Sequence, residues 1–294
     1  MHQIPDKVDF YITNVCNLTC ENCNRFNNHD FKGWQRWSDY EEQYQQWGRL
    51  VKLKAITLMG GEPMLNPTIS DWIAGLNKIF NIEVQILTNG TRFRQVKKLY
   101  PFLLWRNPYK PKLVTNHIGV SVHNLDEWPE IESSIYDFLK PPVRMLPKGQ
   151  NHWNSDWWFC DKNGVQVNAY IVNEFNPSSI IPLPNGGYTL HNSDPQTAHA
   201  RCSFAIYKSY HFIKGKLYKC GPVALMPEFD QQHNLDISEE DRVLLNSYKP
   251  LDLDNFAEYH KEFFANLDNP IAQCKFCPTR GHVKFIRPVR KGSS

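Results

Sequence analysis

The sequence contains no run of about 18 consecutive apolar residues, so no membrane-spanning helix and no membrane partner are expected. Its opening segment, MHQIPDKVDFYIT, has no basic region followed by an apolar stretch, which removes the signature of a secretory signal and makes a cytoplasmic protein the expectation. Charge of one sign is also missing: 33 Lys and Arg face 30 Asp and Glu, a formal net charge of +3. A field that weak neither demands nor forbids nucleic acid or anionic lipid. Internal repeats and low-complexity tracts are absent too.

What is present is a globular composition, 41% hydrophobic and 21% charged, without the low hydrophobicity or high net charge of disorder. At 294 residues the chain exceeds the usual ~100 to 200 residues per domain, so one large α/β unit, or a core with a smaller appendage, is expected. Eight cysteines at close spacings in a reducing compartment point to metal ligation rather than a disulfide framework.

Four β-rich runs, VDFYIT (8 to 13), AITLMG (55 to 60), VQILTN (84 to 89) and HIGVSVH (117 to 123), alternate with helix-like stretches. This pattern predicts βα units and a parallel sheet. The first helix is predicted in WSDYEEQYQQWGRLVKL, where Ser38 and Glu41 have capping-box spacing and Tyr40, Tyr44, Trp47 and Val51 recur at helical intervals. Weaker helical patterns follow at Ile69 to Phe80, 91 to 105 and 127 to 140. Pro141, Pro142 and Pro147 then interrupt the pattern, WWFCDKNGVQVNAYIV reads as two strands joined at Lys162 to Gly164, and 176 to 200 reads as a loop. The domain boundary is placed near residue 195, giving segments 1–195, 196–280 and a basic tail, 281–294.

Cys16, Cys20 and Cys23 follow the first predicted strand with Cys-x3-Cys-x2-Cys spacing. Three thiolates on a short loop can hold three irons of a cubane and leave the fourth open, as reactive chemistry requires. The same residues completed by His29 could instead close a zinc tetrahedron. One βα unit later, Gly60-Gly61-Glu62-Pro63 ends the second strand: the glycines permit a bend and a close backbone approach, and Glu62 offers an acceptor for an ammonium.

Together the triad and this motif resemble the radical SAM superfamily, over roughly residues 8 to 125. The resemblance implies a partial (β/α) TIM-like barrel with its chemistry at the C-terminal strand ends. It implies a [4Fe-4S] cluster on the triad and S-adenosylmethionine held by Gly60, Gly61, Glu62 and Pro63. By the same resemblance Thr88 and Asn89, in the Thr-Asn-Gly turn after the third strand, and Ser121 and His123, on the fourth, become candidate cofactor contacts. The sequence departs from the family at Asn22, where an aromatic residue usually precedes the third cysteine.

Four further cysteines follow in the pattern Cys202-x12-Gly215-x4-Cys220, then Cys274-x2-Cys277. Four soft ligands can close a cubane or a zinc site, and spacing does not choose between them. A hairpin turning at Lys214-Gly215 is expected to bring Cys202 and Cys220 together across two strands, and a helix near 252 to 266 to return the last pair. The arrangement resembles the twitch domain, a short relative of SPASM holding one auxiliary [4Fe-4S] cluster. The two-part layout is similar to radical SAM dehydrogenases such as that of butirosin biosynthesis.

The resemblance implies reductive cleavage of S-adenosylmethionine, a one-electron donor such as flavodoxin or ferredoxin, and hydrogen abstraction from a small polar, sugar-like or cyclitol-like substrate with net two-electron oxidation. Cys160 could instead return a hydrogen atom in an epimerase, or be a buried strand residue. Trp153, Trp157 and Trp158 could line a stacking pocket or belong to the core. Arg280, Lys284, Arg287, Arg290 and Lys291 read as a solvated basic face rather than a nucleic-acid contact. Seven residues precede the first predicted strand, so a leader-binding domain for peptide modification is not expected. A non-catalytic zinc protein that contacts nucleic acid is the reading from another class, and it leaves Gly60 to Pro63 without a purpose.

Overall fold

The computed structural model describes residues 2–3, 7–106, 116–151, 155–175, 177–280 and 283–284. The four predicted runs become β1 (Lys7–Tyr11), β2 (Ala55–Met59), β3 (Val84–Thr88) and β4 (His117–Val122). They pair parallel in chain order, with Phe10 opposite Leu58, Leu58 opposite Ile86 and Ile86 opposite Ile118. Each of these residues points to the same face, where α1 (Glu41–Leu50), α2 (Ile69–Phe80) and α3 (Trp128–Phe138) cover them in one continuous core.

Two helical expectations need correction. Ser38 does not cap α1: it lies in a 3-10 turn, Trp37–Asp39, and bonds Asp39, because Trp37 is drawn inward against Trp72 and the bare face of Gly75 before the helix begins. The stretch 91 to 105 forms 3-10 turns and a short helix, Tyr100–Leu103. Pro101 can open a helix but not sit inside one, which stops a longer helix from running through it.

Beyond α3 the expected hairpin forms from β6 (Trp157–Asp161) and β7 (Gln166–Ile171), and β7 joins β4 in parallel. A strand the prolines concealed, β5 (Val143–Pro147), pairs with β6 and ends the sheet. An edge strand tolerates proline because one side of it makes no ladder bonds. The presumed loop 176 to 200 contains a second hairpin, β8 (Ile180–Pro182) with β9 (Tyr188–Leu190), and α4 (Pro195–Ala200).

The hairpin at Lys214-Gly215 is β10 (Ser209–Ile213) with β11 (Lys216–Tyr218), both turn residues lying at positive φ. Its first strand pairs parallel with β1, so the sheet runs β11-β10-β1-β2-β3-β4-β7-β6-β5. Six parallel strands lie in its middle and both ends are free, which makes it an open, partial barrel rather than a closed one. After the hairpin come α5 (Gly221–His233), α6 (Glu239–Asn246) and α7 (Phe256–Ala265). A second core joins this C-terminal region to the loop after β1, packing Phe26 and Phe31 against Leu225, Phe229, Leu245 and Phe276. Among the described residues no helix is long and apolar enough to cross a membrane.

Candidate metal and cofactor site

The loop leaving β1 lies directly on the end of β2. The Gly61 amide donates to Thr13 O at 2.7 Å and the Glu62 amide to Val15 O at 2.8 Å. A β-carbon on Gly60 would overlap the Thr13 carbonyl, and one on Gly61 would overlap the Val15 carbonyl and press on Cys16. The glycines are thus required by what stands against them: they let the cysteine loop dock on the strand end. Inside the loop, Cys23 N–H donates to Cys20 O at 3.1 Å, and buried Asn27 donates to Tyr11 Oη at 2.9 Å and Asn14 O at 2.7 Å. These bonds fix the turn that presents Cys16, Cys20 and Cys23.

Glu62 is fully buried. Its carboxylate accepts from Thr88 Oγ1 at 2.7 Å, Asn89 N at 2.8 Å and Met64 N at 3.0 Å. Burial pushes its pKa up, and the bonds from Asn89, Thr88 and Met64 oppose that rise. The sequence offers Glu62 as an acceptor for an ammonium; in the structure its carboxylate also clamps the Thr88-Asn89 turn to the glycine loop. Asn89 in turn donates to Asn17 Oδ1 at 3.0 Å, tying the third strand's end to the cysteine loop. Pro63 is buried at the start of the short turn Pro63–Leu65.

These elements surround one cavity. Cys16, Cys20, Cys23, Gly60, Gly61, Thr88, Asn89, Ser121 and His123 all line it. Nine of the eleven residues assigned by sequence to this site therefore meet there, while Glu62 and Pro63 lie behind the wall. Leu18, Met59, Leu87 and Val172 form its apolar part, and Asn22 is not among the lining residues. His123 has its pKa pushed down to about 4 by burial, so its imidazole is neutral at pH 7. Burial and the neighbouring Cys23 and Cys16 push the Cys20 thiol up, so the group needs a cationic core before it can ionise.

Sequence reasoning missed Arg25. It lines the cavity two residues after Cys23, its Nη2 lies 3.2 Å from His211 Nε2 and 3.7 Å from Asp9 Oδ2, and its guanidinium covers the Phe204 ring. Its signal was invisible locally, because its partners come from β1 and from β10, far along the chain.

A model of the radical SAM superfamily matches residues 10–128. The chain carries a radical SAM domain. That match spans β1 through the start of α3 and contains every residue of the cavity wall named above except Val172. The chain is also 26% identical over 191 residues to GTP 3',8-cyclase of Clostridium perfringens (strain SM101 / Type A), which covers 62% of this chain and 52% of that protein. It thus spans about half the length of that curated relative. Solved structures of Streptococcus suis SuiB overlap 44% of this chain: the S-adenosylmethionine complex at 21% identity and TM-score 0.33, covering 27% of that chain, and the complex with precursor peptide SuiA at 20% and 0.34, covering 26%. A radical SAM domain implies a [4Fe-4S] cluster with S-adenosylmethionine. The triad fits that cluster, since three partly buried thiols share one cavity on a loop docked against Gly60 and Gly61.

Outside the radical SAM domain, Cys202, Cys220, Cys274 and Cys277 line a second cavity. They reach it differently from the expectation of two facing strands. Cys202 precedes the short helix Ser203–Ile206, Cys220 stands at the start of α5, and Cys274 and Cys277 come from the 3-10 turn Ala272–Phe276 and its end. Burial, then the neighbouring Cys202 and Cys277, pushes the Cys220 thiol well up; burial, with Cys202 and Cys274, pushes Cys277 up to about 12 against a bond from Ser179. Lys219, itself buried, lines the same cavity and donates to Leu267 O. Among the described residues no three His, Cys, Asp or Glu side chains are grouped to hold a metal ion.

Cys160 is not brought to either cavity. It pairs with Gln166, which pairs with His117 at the start of β4. That level is about 13 Å along the strands from Ser121, at ~3.3 Å per residue. Its nearest bond is to Asp161 O. Trp157 stacks on Trp128 at 3.9 Å and Trp158 is buried with Nε1 donating to Gln166, so both belong to the packing of the sheet rather than to the cavity. Trp153, Arg287, Arg290 and Lys291 lie outside the described residues, and only the backbone of Lys284 is described, in a short strand paired with Glu174.

Proposed function

We propose that this radical SAM enzyme oxidises a hydroxyl-bearing carbon of a small polar substrate by two electrons. Cys16, Cys20 and Cys23 hold the first [4Fe-4S] cluster, Cys202, Cys220, Cys274 and Cys277 hold a second, and residues 196–280 act as a twitch-type appendage. When bound, these groups and S-adenosylmethionine would supply reductive cleavage of the sulfonium, hydrogen-atom abstraction and an acceptor for the substrate's remaining electron, its proton passing to solvent. A one-electron donor such as flavodoxin or ferredoxin reduces the first site.

The observation that carries this reading is that two cysteine groups, far apart in sequence, each line one cavity. Four thiols at the second leave no iron for substrate, which suits an electron acceptor. The chain's own part is positional. Gly60 and Gly61 seat the triad's loop, and Glu62 locks the Thr88-Asn89 turn to it. Ser121 and His123 offer hydrogen bonds, the neutral imidazole adding no charge of its own to that of Arg25. Leu18, Met59, Leu87 and Val172 keep that part of the wall dry.

Anaerobic reconstitution with iron and sulfide tests the reading. We expect about eight irons per chain and formation of 5'-deoxyadenosine from S-adenosylmethionine with dithionite. Cys16→Ala/Cys20→Ala/Cys23→Ala should retain about four irons and lose cleavage; Cys202→Ala/Cys220→Ala should retain cleavage and lose substrate oxidation. Zinc in place of iron, or an intact reduced protein that leaves S-adenosylmethionine whole, would overturn it.

A further inference from the structure

A third cavity shares wall residues with the other two. Asn24, next to Cys23, lines both the triad's cavity and this one, while Cys202, Cys277, Phe204 and Pro222 line both this one and the second cysteine cavity. A molecule lying here meets Cys202 and Cys277 on one side and Asn24, the residue after Cys23, on another.

The charge in this joining cavity is one-sided. Arg201 and Arg280 line it, with Ser179 and Ser203 beside them. Among the described residues no Asp or Glu lines either this cavity or the triad's. Both arginines are exposed. Arg201 donates to Thr279 O at 3.0 Å, and among the described residues neither arginine is ion-paired to a carboxylate. Lys219 lines the second cysteine cavity and is drawn electrostatically to Cys220, Cys274 and Cys202, so a nearer cation than the two arginines already serves those sulfurs. The two guanidinium groups are left facing an open cavity.

We infer that the joining cavity binds the substrate through a phosphate group held by Arg201 and Arg280. A guanidinium fork takes two oxygens at once. A carboxylate has two oxygens to divide between two forks, whereas a tetrahedral phosphate monoester presents three, enough for both forks and the hydroxyl of Ser203. Anchored there, a small phosphorylated substrate reaches past Asn24 toward the triad's cavity with its other end. The inference relies on the proposed radical chemistry for what happens to the substrate, but not for its binding.

The test uses the reconstituted, desalted full chain with inorganic pyrophosphate as the probe and citrate as the carboxylate arm, both measured by calorimetry. Wild type should bind pyrophosphate more tightly than citrate. Arg201→Met/Arg280→Met should weaken pyrophosphate at least tenfold, and Arg201→Lys/Arg280→Lys, which keeps charge but loses the forks, should fall between. Iron content and substrate-free 5'-deoxyadenosine formation should stay at wild-type levels in both variants. No pyrophosphate binding by wild type, tighter binding of citrate, or equal affinity in the Met variant would overturn the inference. Arginine-dependent pyrophosphate binding by a protein that cannot cleave S-adenosylmethionine would support it while overturning the radical reading.

Discussion

Glycine 61 is defined by the atoms opposite it. Its amide bonds Thr13 O, and the space a side chain would need is filled by the Val15 carbonyl and the β-carbon of Cys16. Backbone cannot step aside as a flexible side chain can, so Gly61→Ala must lift the cysteine loop off the strand end. Overpacking of this kind costs ~1 to 3 kcal/mol, and here the strain falls on the turn that spaces the thiols. The variant should fold, keep the second cysteine group loaded, and drop from about eight irons per chain to about four, read by iron and sulfide counting. Retention of all the iron would mean that the loop is docked more loosely than its hydrogen bonds imply.

The elements show what a sequence can and cannot disclose. The triad and the glycine motif were legible because their logic is local: spacing on one loop, then a strand end one βα unit later. The four parallel strands were legible because each is a short apolar run between helical patterns. The bonds that hold Glu62 were not legible because they come from Thr88 and Asn89 at the end of the next strand, and Arg25 was missed because Asp9 and His211 meet it only once β10 has joined β1. Strand β5 was hidden because proline reads as a break, yet an edge position removes the penalty. The boundary near residue 195 concerns the same long-range pairing. Strand β10 lies against β1, and Phe212 packs at 5.0 Å from Phe10, 5.1 Å from Trp47 and 5.6 Å from Tyr44. Trp47 also donates to Gly215 O at 2.8 Å. A fragment ending at residue 195 would expose the ladder groups of β1 and open that aromatic cluster. We expect it to aggregate, while a chain ending at residue 280 stays monodisperse in anaerobic gel filtration. A soluble, cooperatively melting 1–195 fragment would show that the two regions are energetically independent.

At the scale of the whole molecule, the joint between these regions sets a dependence on pH. His211 lies on β10, fully buried against β1, with Arg25 Nη2 at 3.2 Å and the bare face of Gly221 beside its ring. Burial pushes its pKa down to about 3, with the positive charge of Arg25 adding to the effect and Asp9 opposing it. The neutral imidazole can accept the arginine's N–H; the protonated ring cannot. Unfolded, the same histidine titrates near its ordinary value of ~6.5, so between about pH 3 and pH 6.5 the unfolded chain holds a proton that the folded chain excludes. His211 therefore contributes stability that is complete above the unfolded value and is lost as the pH falls. A fully excluded proton tilts stability by about 1.4 kcal/mol per pH unit. Anaerobic urea unfolding of the reconstituted protein at pH 7.5, 6.5, 5.5 and 4.5 should show the midpoint falling on acidification. His211→Asn, which keeps a hydrogen-bonding side chain without the titration, should be less stable at pH 7.5 and lose less between pH 6.5 and 4.5. Parallel slopes for the two proteins would place the acid sensitivity in other groups and leave the β1 to β10 joint indifferent to pH.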